Sequence, residues 1–203
     1  MQRENLNYLG SLLLLLASMM LAPQSSEATH NRAGEITFKH IEGYTYEITL
    51  NTYTDYTSPP NREELEIIWG DGTSTEVKRD KVENNIGQDN KYPIDKNTYT
   101  HRHTYAGPGT YTIRMQDKNR VAKVVNMDNS VNTPFYVETN LHIFPGSSWI
   151  NNSPKLLQPP IDYASTGEVF VHNPNAYDKD GDSLAFSLVP PKQAYQKTVN
   201  GYY

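Results

Sequence analysis

The sequence contains no cysteine, and this absence excludes several classes of site at once. A chain without thiols has no disulfide scaffold, no cysteine-ligated zinc, no thiol nucleophile and no lipidated N-terminal cysteine. An excess of positive charge is also missing, because the net charge is −5 and no basic stripe is present that could neutralise phosphates. We therefore expect no nucleic-acid partner.

Catalytic signatures are absent as well. The sequence has no G-x-S-x-G, no H-E-x-x-H, no phosphate-binding glycine loop and no dinucleotide fingerprint, so we predict that the protein is not an enzyme. Only 36% of the residues are hydrophobic, which is too few for a protein with several membrane spans. However, 15 tyrosines supply more large apolar area than a disordered chain carries, and they predict a folded protein.

Residues 1–28 have the pattern of a removable signal peptide. The apolar run at 9–21 is shorter than the about 20 apolar residues that a membrane span needs. Ser26-Glu27-Ala28 places small residues at the two positions that a signal peptidase inspects, which predicts cleavage before Thr29. The alternative is an uncleaved N-terminal anchor. We prefer export to the cell surface or medium, with no integral membrane segment after leader removal.

The remaining chain shows the period of β-strands and almost no helical periodicity. Residues 44–50 alternate apolar and polar side chains, and 135–144 places Phe135, Val137, Thr139, Leu141 and Ile143 on one face. Further predicted strands lie at 34–39, 65–69, 75–79, 99–105, 110–116 and 121–126. Short strands between Gly, Pro, Asn and Asp clusters predict an all-β antiparallel sandwich.

Residues that favour turns separate these predicted strands. Gly70-Asp71-Gly72 joins two of them, because an Asp-Gly pair tolerates the positive φ of a tight hairpin. Gly107-Pro108-Gly109 predicts a similar turn before the strand of Tyr111. The polar segment 80–96 predicts a long surface loop, and 145–154 predicts a linker.

A second β pattern follows the linker, with predicted strands at 168–172 and 184–189. The region 151–203 has about half of the about 100 residues that a sandwich of this type needs. We expect it to be the first part of a truncated second β-sandwich. The alternative is a small appendage on the first domain.

Two motifs resemble those of the polycystic-kidney-disease (PKD) domain. They are Trp69-Gly70-Asp71-Gly72, and His103-Thr104-Tyr105 followed by Gly107-Pro108-Gly109-Thr110-Tyr111-Thr112-Ile113. That family carries a W-x-F-G-D-G-type hairpin, then H-x-Y and G-x-Y-x-V, on an immunoglobulin-like β-sandwich. Here Trp69 directly precedes Gly70, and the segment 80–96 is an insertion. The resemblance implies a PKD-type domain at 29–150 and an incomplete cadherin-like or immunoglobulin-like domain at 151–203.

Segments 33–36, 129–138 and 173–184 resemble the N-terminal part of large PKD-containing surface proteins of Bacteroidota, often called gliding motility-associated. This implies a noncatalytic secreted or cell-surface module that mediates adhesion through extracellular protein or polysaccharide. One alternative is an accessory domain of a secreted polysaccharide- or protein-degrading enzyme whose catalytic part lies beyond residue 203. A sugar-binding protein in its own right is a third hypothesis.

Asp178, Asp180 and Asp182 form the sharpest candidate metal site, for calcium. Calcium takes six to eight oxygen ligands, and acidic loops with glycine supply several of them. The segment is not an EF-hand, because Ser183 and Val189 stand where that loop needs Gly and Glu. Similar segments in cadherin-like repeats imply a calcium role. The alternative is a solvated turn at Asp180-Gly181, and we expect no other cofactor.

His101 and His103 lie two residues apart on a predicted strand and therefore share a face. They could ligate zinc with a third residue, but no nearby residue completes a recognisable spacing, so we prefer a packing or hydrogen-bonding role. Asp71 could be a general acid or a ligand. Its position between two glycines favours a hydrogen bond that stabilises the turn.

Four aromatic residues are candidates for contacts with a ligand. Trp69 and Tyr111 could form a sugar-stacking platform, although both belong to the structural motifs and core packing is the preferred interpretation. Tyr53 and Tyr56 precede the segment Thr57-Ser58-Pro59-Pro60 and are better candidates for a contact loop.

Overall fold

The computed structural model describes residues 31–55, 62–86, 93–118, 120–146, 150–160, 162 and 164–202. The predicted leader at 1–28 and Tyr56 lie outside these residues, so the signal peptide and the contact role of Tyr56 stay predictions. Within the described ranges there is no α-helix, and thus no helix with the length and hydropathy needed to cross a membrane.

Seven antiparallel strands form the body of the protein in the order β1-β2-β5-β4-β3-β6-β7. They are β1 (Asn31–Glu42), β2 (Thr45–Asp55), β3 (Glu64–Ile68), β4 (Ser74–Glu83), β5 (Ile94–Thr104), β6 (Gly109–Asp117) and β7 (Phe135–Ile143). A 3₁₀ turn at Ser130–Asn132 precedes β7.

Strand β4 passes from one layer of the structure to the other. Its residues 74–78 pair with β3, and residues 79–83 pair with β5, with a register shift between Arg79 and Lys81. Such an irregularity bends a strand and lets it take part in two sheets. We name β1, β2, β5 and the end of β4 sheet A, and the start of β4 with β3, β6 and β7 sheet B. The predicted immunoglobulin-like β-sandwich is confirmed.

The core lies between the two sheets, as the alternation of side chains predicts. In β2, Tyr46, Ile48 and Leu50 are buried, whereas Glu47 and Thr49 lie half-buried on the outer face. Burial of each large apolar side chain stabilises the fold by about 1.5–3 kcal/mol. The buried cluster comprises Ile36, Phe38, Tyr46, Ile48, Leu50, Leu65, Ile67, Trp69, Val77, Tyr99, Tyr105, Ile113, Met115, Phe135, Leu141 and Ile143.

The predicted surface loop at 80–96 is wrong at both ends. Residues 81–83 of β4 pair with β5, with Lys81 opposite Thr98 and Glu83 opposite Lys96. The pattern was hidden because the first inward positions of β5, Asp95 and Asn97, are polar. Asn97 is buried, accepts a hydrogen bond from Arg79 at 3.1 Å and donates one to the Thr54 hydroxyl at 3.0 Å. The middle of this segment, 87–92, lies outside the described residues.

The predicted strand at 121–126 is also wrong, because these residues form turns between β6 and β7. Lys123 has a φ of 62°, which a strand does not allow, and Val125 is 89% exposed.

The turn at Gly107-Pro108-Gly109 has a different role from the hairpin turn at Gly70-Asp71-Gly72. It carries the chain from β5 in sheet A to β6 in sheet B, which are not neighbours.

After residue 150 the described chain has only short strands. β8 (Lys155–Leu156) pairs with β9 (Ala176–Tyr177), and β10 (Lys192–Ala194) pairs with β11 (Lys197–Thr198). The predicted strands at 168–172 and 184–189 are wrong, since neither segment pairs with another segment of the described chain. The β10–β11 hairpin packs against β7. The boundary at residue 150 stays a prediction.

Candidate functional site

The motif residues meet at one end of the sandwich, around Trp69. Its side chain is fully buried, and its Nε1 donates a hydrogen bond to the Thr75 hydroxyl at 3.0 Å. The imidazole of His103 stacks on the indole with a centroid distance of 4.7 Å, and that of His101 with 5.3 Å. Core packing of Trp69 is therefore confirmed, and its burial leaves no face for a sugar.

Asp71 holds the hairpin turn and His103 together. Its Oδ1 accepts hydrogen bonds from the backbone N–H and the hydroxyl of Thr73 at 3.0 and 2.6 Å. Its Oδ2 lies 2.7 Å from His103 Nε2. Desolvation raises the pKa of Asp71, but the hydrogen bonds from Thr73 and His103 outweigh it and lower the pKa below its ordinary value. The predicted turn-stabilising hydrogen bond is confirmed.

Two tyrosines extend this cluster to the next strand. The buried Tyr105 hydroxyl donates to the Trp69 carbonyl at 3.3 Å, and its ring lies 4.2 Å from that of Tyr111. Tyr111 donates to the Gly107 carbonyl at 2.9 Å. Burial and the nearby Asp71 charge raise the pKa of Tyr105. These contacts join the ends of β3, β5 and β6, so the cluster stabilises the packing of these strands.

Neither histidine has metal-binding surroundings in the part of the chain that is described. No group of three or more His, Asp or Glu side chains among those residues is arranged to hold a metal ion. His101 and His103 share a face, as predicted, but both rings lie against the indole of Trp69. The zinc alternative thus gains no support.

The three predicted calcium ligands lie on one exposed turn. Asp178 Oδ1 accepts hydrogen bonds from the backbone N–H of Asp180 at 2.8 Å and of Asp182 at 3.3 Å, and Gly181 has a φ of 86°. The Asp180 carboxylate accepts hydrogen bonds from the backbone and side-chain N–H groups of Asn152 at 2.6 and 2.9 Å. The Asp180 carboxylate therefore already has a hydrogen-bond partner within the chain, Asn152. Calcium binding at this turn stays a prediction.

The predicted linker is tied to the outer edge of β1. Asn152 Oδ1 accepts a hydrogen bond from the backbone N–H of His40 at 2.9 Å. The backbone N–H of Ser153 donates to the Phe38 carbonyl at 3.0 Å, and its hydroxyl accepts from the Phe38 N–H at 2.8 Å. The sequence carries no signal for this link, because Asn-Ser runs look like linkers whether or not an edge strand lies beside them.

A groove of about 230 Å³ lies between the outer face of sheet A and the segment 155–157, and we call it the sheet A groove. Its floor comes from the outward positions of β1 and β2. In the register, Thr37 lies opposite Thr49, and Glu35 opposite Asn51. The lining residues are Glu35, Thr37, Phe38, Lys39, Glu47, Thr49, Asn51, Lys96, Lys155, Leu156 and Leu157.

Hydrogen bonds order one row of this floor. Asn51 donates to Glu35 at 3.0 Å and accepts from the Thr98 hydroxyl at 2.9 Å. Tyr53 also donates to Glu35, at 3.4 Å, and burial together with the Glu35 charge raises the pKa of Tyr53. Because Tyr53 is only 4% exposed, the prediction that it belongs to a contact loop is wrong. The groove is not among the sequence-based predictions, although its polar positions recur with period two.

No protein-family model matches the chain, and neither a curated protein nor a solved structure matches it. The resemblance to PKD domains, and to surface proteins of Bacteroidota, therefore stays a prediction that rests on the motif residues.

Proposed function

We propose that this protein is a noncatalytic extracellular module that mediates adhesion by contacting polysaccharide or protein. The observation that supports it best is the sheet A groove, which is open to solvent and lined by hydroxyl, amide and charged groups. A polar floor with an aliphatic wall at Leu156 and Leu157 suits a ligand that has both hydroxyl and C–H surfaces.

The side chains that meet around Trp69 form a cluster that we call the motif cluster, comprising Asp71, His101, His103, Tyr105 and Tyr111. This cluster supports a scaffold role rather than a catalytic one. Its histidine and carboxylate groups are already engaged, since Asp71 bonds Thr73 and His103, and both imidazoles stack on Trp69. A general acid or nucleophile needs a reacting atom within hydrogen-bond reach, and stacking on a buried indole leaves little room for one. We propose that this end of the sandwich makes the module rigid, and that sheet A contacts the ligand.

The attachment of the linker fits a module that displays a binding surface at a fixed angle. Asn152 connects the edge of β1, through His40, to the turn at Asp180. A linker that is hydrogen-bonded on both sides fixes the relative position of the two parts it joins better than a free Gly/Ser segment does. The proposed export rests on the leader pattern at 1–28, and any part in gliding motility rests on the motif resemblance.

The proposal is tested by binding of the fluorescently labelled full chain to arrays of immobilised neutral and charged polysaccharides and extracellular proteins. Saturable binding to at least one ligand, competed by the same ligand in solution, is the expected result. Signal no higher than that of heat-unfolded protein on every spot would contradict the proposal.

A further inference from the structure

The sheet A groove carries more positive charge than the chain as a whole. Lys39, Lys96 and Lys155 line it, and none of the three forms an ion pair with a described carboxylate. This contrasts with Lys78 and Lys81, which lie 3.7 and 3.3 Å from Glu64 and Glu83. On a chain with a net charge of −5, three ammonium groups around one groove, none of them ion-paired with a described carboxylate, are a local concentration of positive charge.

The two carboxylates of the groove do not cancel this charge. Glu47 Oε2 is bound to Arg102 Nε at 3.0 Å, which makes that pair neutral. Glu35 Oε1 accepts hydrogen bonds from Asn51 and Tyr53, so this oxygen is already engaged by two neutral partners. Counting Arg102 with the three lysines against the two glutamates leaves a local excess of two positive charges.

From this arrangement, and resting on the proposed function, we infer that the sheet A groove binds an anionic polysaccharide, one that carries carboxylate or sulfate groups. The lysines provide the point charges for the anionic groups. The floor provides neutral partners for sugar hydroxyls at Thr37, Thr49 and Asn51, in rows set by the strand register. Leu156 and Leu157 face the same space and give an aliphatic wall for sugar C–H groups.

An acidic peptide is the competing anionic ligand, and the position of the groove disfavours it. Extended peptides gain much of their affinity by adding a strand to a free sheet edge. The groove lies over the face of β2, and β2 is paired on both sides, with β1 and with β5. The nearby edge of β1 is bonded to Ser153 and Asn152. A ligand in the groove therefore meets side chains and not unpaired backbone.

The test measures affinity of the full chain for four probes: polygalacturonate, dextran sulfate, neutral dextran and poly-glutamate. EDTA is present throughout, so that calcium cannot bridge carboxylates. The variant K39Q/K96Q/K155Q is compared with K78Q/K118Q/K123Q, which removes the same charge outside the groove, and melting curves check that both fold. We expect the wild type to bind the two anionic polysaccharides with salt-sensitive affinity. The groove variant should lose about tenfold in affinity, and the control variant less than about twofold.

Three outcomes would overturn the inference. Equal losses in both variants would mean that only net charge matters. Poly-glutamate binding as tight as that of polygalacturonate would assign the groove to acidic peptides. Absence of binding to both anionic polysaccharides, with or without binding to neutral dextran, would reject the anionic ligand while leaving the proposed adhesion function intact. The proposed function fails separately, if no ligand of the wider array binds.

Discussion

The Asp71 carboxylate lies 2.7 Å from the imidazole Nε2 of His103, and that imidazole in turn stacks on Trp69. One polar contact thereby connects the hairpin turn between β3 and β4 with β5. The two side chains are 20% and 16% exposed, so solvent reaches the contact and screens it in part. It is a structural link between neighbouring strands at the end of the sandwich.

Replacing Asp71 with Asn should make the protein less stable in a pH-dependent way. Because the folded-state pKa of Asp71 is lowered, its stabilisation is complete above the unfolded value of about 3.8 and is lost as the pH falls through the folded value. We expect the free energy of unfolding to drop by about 1 kcal/mol at pH 7, with a smaller difference below pH ~3. Urea unfolding across this pH range measures it, with the exposed Glu76→Gln as the control. A difference independent of pH would contradict the expected linkage.

Gly70→Ala should destabilise the fold far more than Gly72→Ala. Both glycines have positive φ, at 87° and 94°, so each alanine costs about 1–2 kcal/mol of backbone strain. A Cβ at Gly70 would also lie 2.6 Å from the Thr112 backbone nitrogen and 2.7 Å from its carbonyl oxygen, whereas one at Gly72 meets nothing. The clash should add about 1–3 kcal/mol. Guanidinium unfolding midpoints compare the two variants, and equal losses would show that β6 does not approach the turn this closely.

The Asn152–Asp180 contact should protect the junction against local opening. Asp180→Ala removes the acceptor for the Asn152 backbone N–H. We expect amide hydrogen exchange at Asn152 to become about tenfold faster, because a hydrogen bond to a charged group contributes about 1.5 kcal/mol or more. Asp162→Ala, which removes another exposed carboxylate of the same region, is the control. Unchanged exchange at Asn152 would remove the basis for a rigid junction.

Calcium binding at Asp178, Asp180 and Asp182 is tested separately from this contact. Calcium that binds the folded state should raise the melting temperature over that in EDTA. Asp182→Asn should abolish the increase, and this variant keeps the Asn152–Asp180 hydrogen bonds. Identical melting curves of the wild type with EDTA and with millimolar calcium would refute the calcium prediction.

The β10–β11 hairpin should loosen when Lys192 is replaced with Met. Lys192 forms an ion pair with Glu138 of β7 and, through its carbonyl, accepts a hydrogen bond from Arg120. Desolvation raises the pKa of Glu138, but hydrogen bonds from Lys192 and Tyr136 bring it below the ordinary value.

The measurement is amide exchange at Asp128, whose N–H donates to the Gly201 carbonyl at 3.1 Å and so reports docking of the chain end. We expect faster exchange by a few-fold, because half-exposed ion pairs contribute about 0.5–1 kcal/mol. Lys197→Met, on the exposed side of the same hairpin, should leave exchange at Asp128 unchanged. Equal effects of the two variants would contradict the role of the Lys192–Glu138 ion pair.

Local rules sufficed for most of the sandwich strands and for the motif turn. Alternation in β2 and β7 follows from burial of one face, and Gly70-Asp71-Gly72 encodes its own hairpin through positive φ and an aspartate hydrogen bond. Prediction failed where the inward residues are polar, as at Asn97, since only a partner such as Arg79 makes their burial favourable. It failed also at 168–172 and 184–189, where alternation is present but the described residues provide no neighbouring strand.

The sequence by itself determined the all-β class, the exclusion of thiol chemistry and the residues of the motif cluster, because these depend on composition, period and local turn geometry. The tertiary structure alone decided that β4 belongs to two sheets, that Asn152 joins Asp180 to β1, and that three lysines from β1, β5 and β8 surround one groove. The physical reason is distance along the chain. Hydrogen bonds and charges between residues far apart in sequence leave no periodic signal, and only the folded chain brings them together.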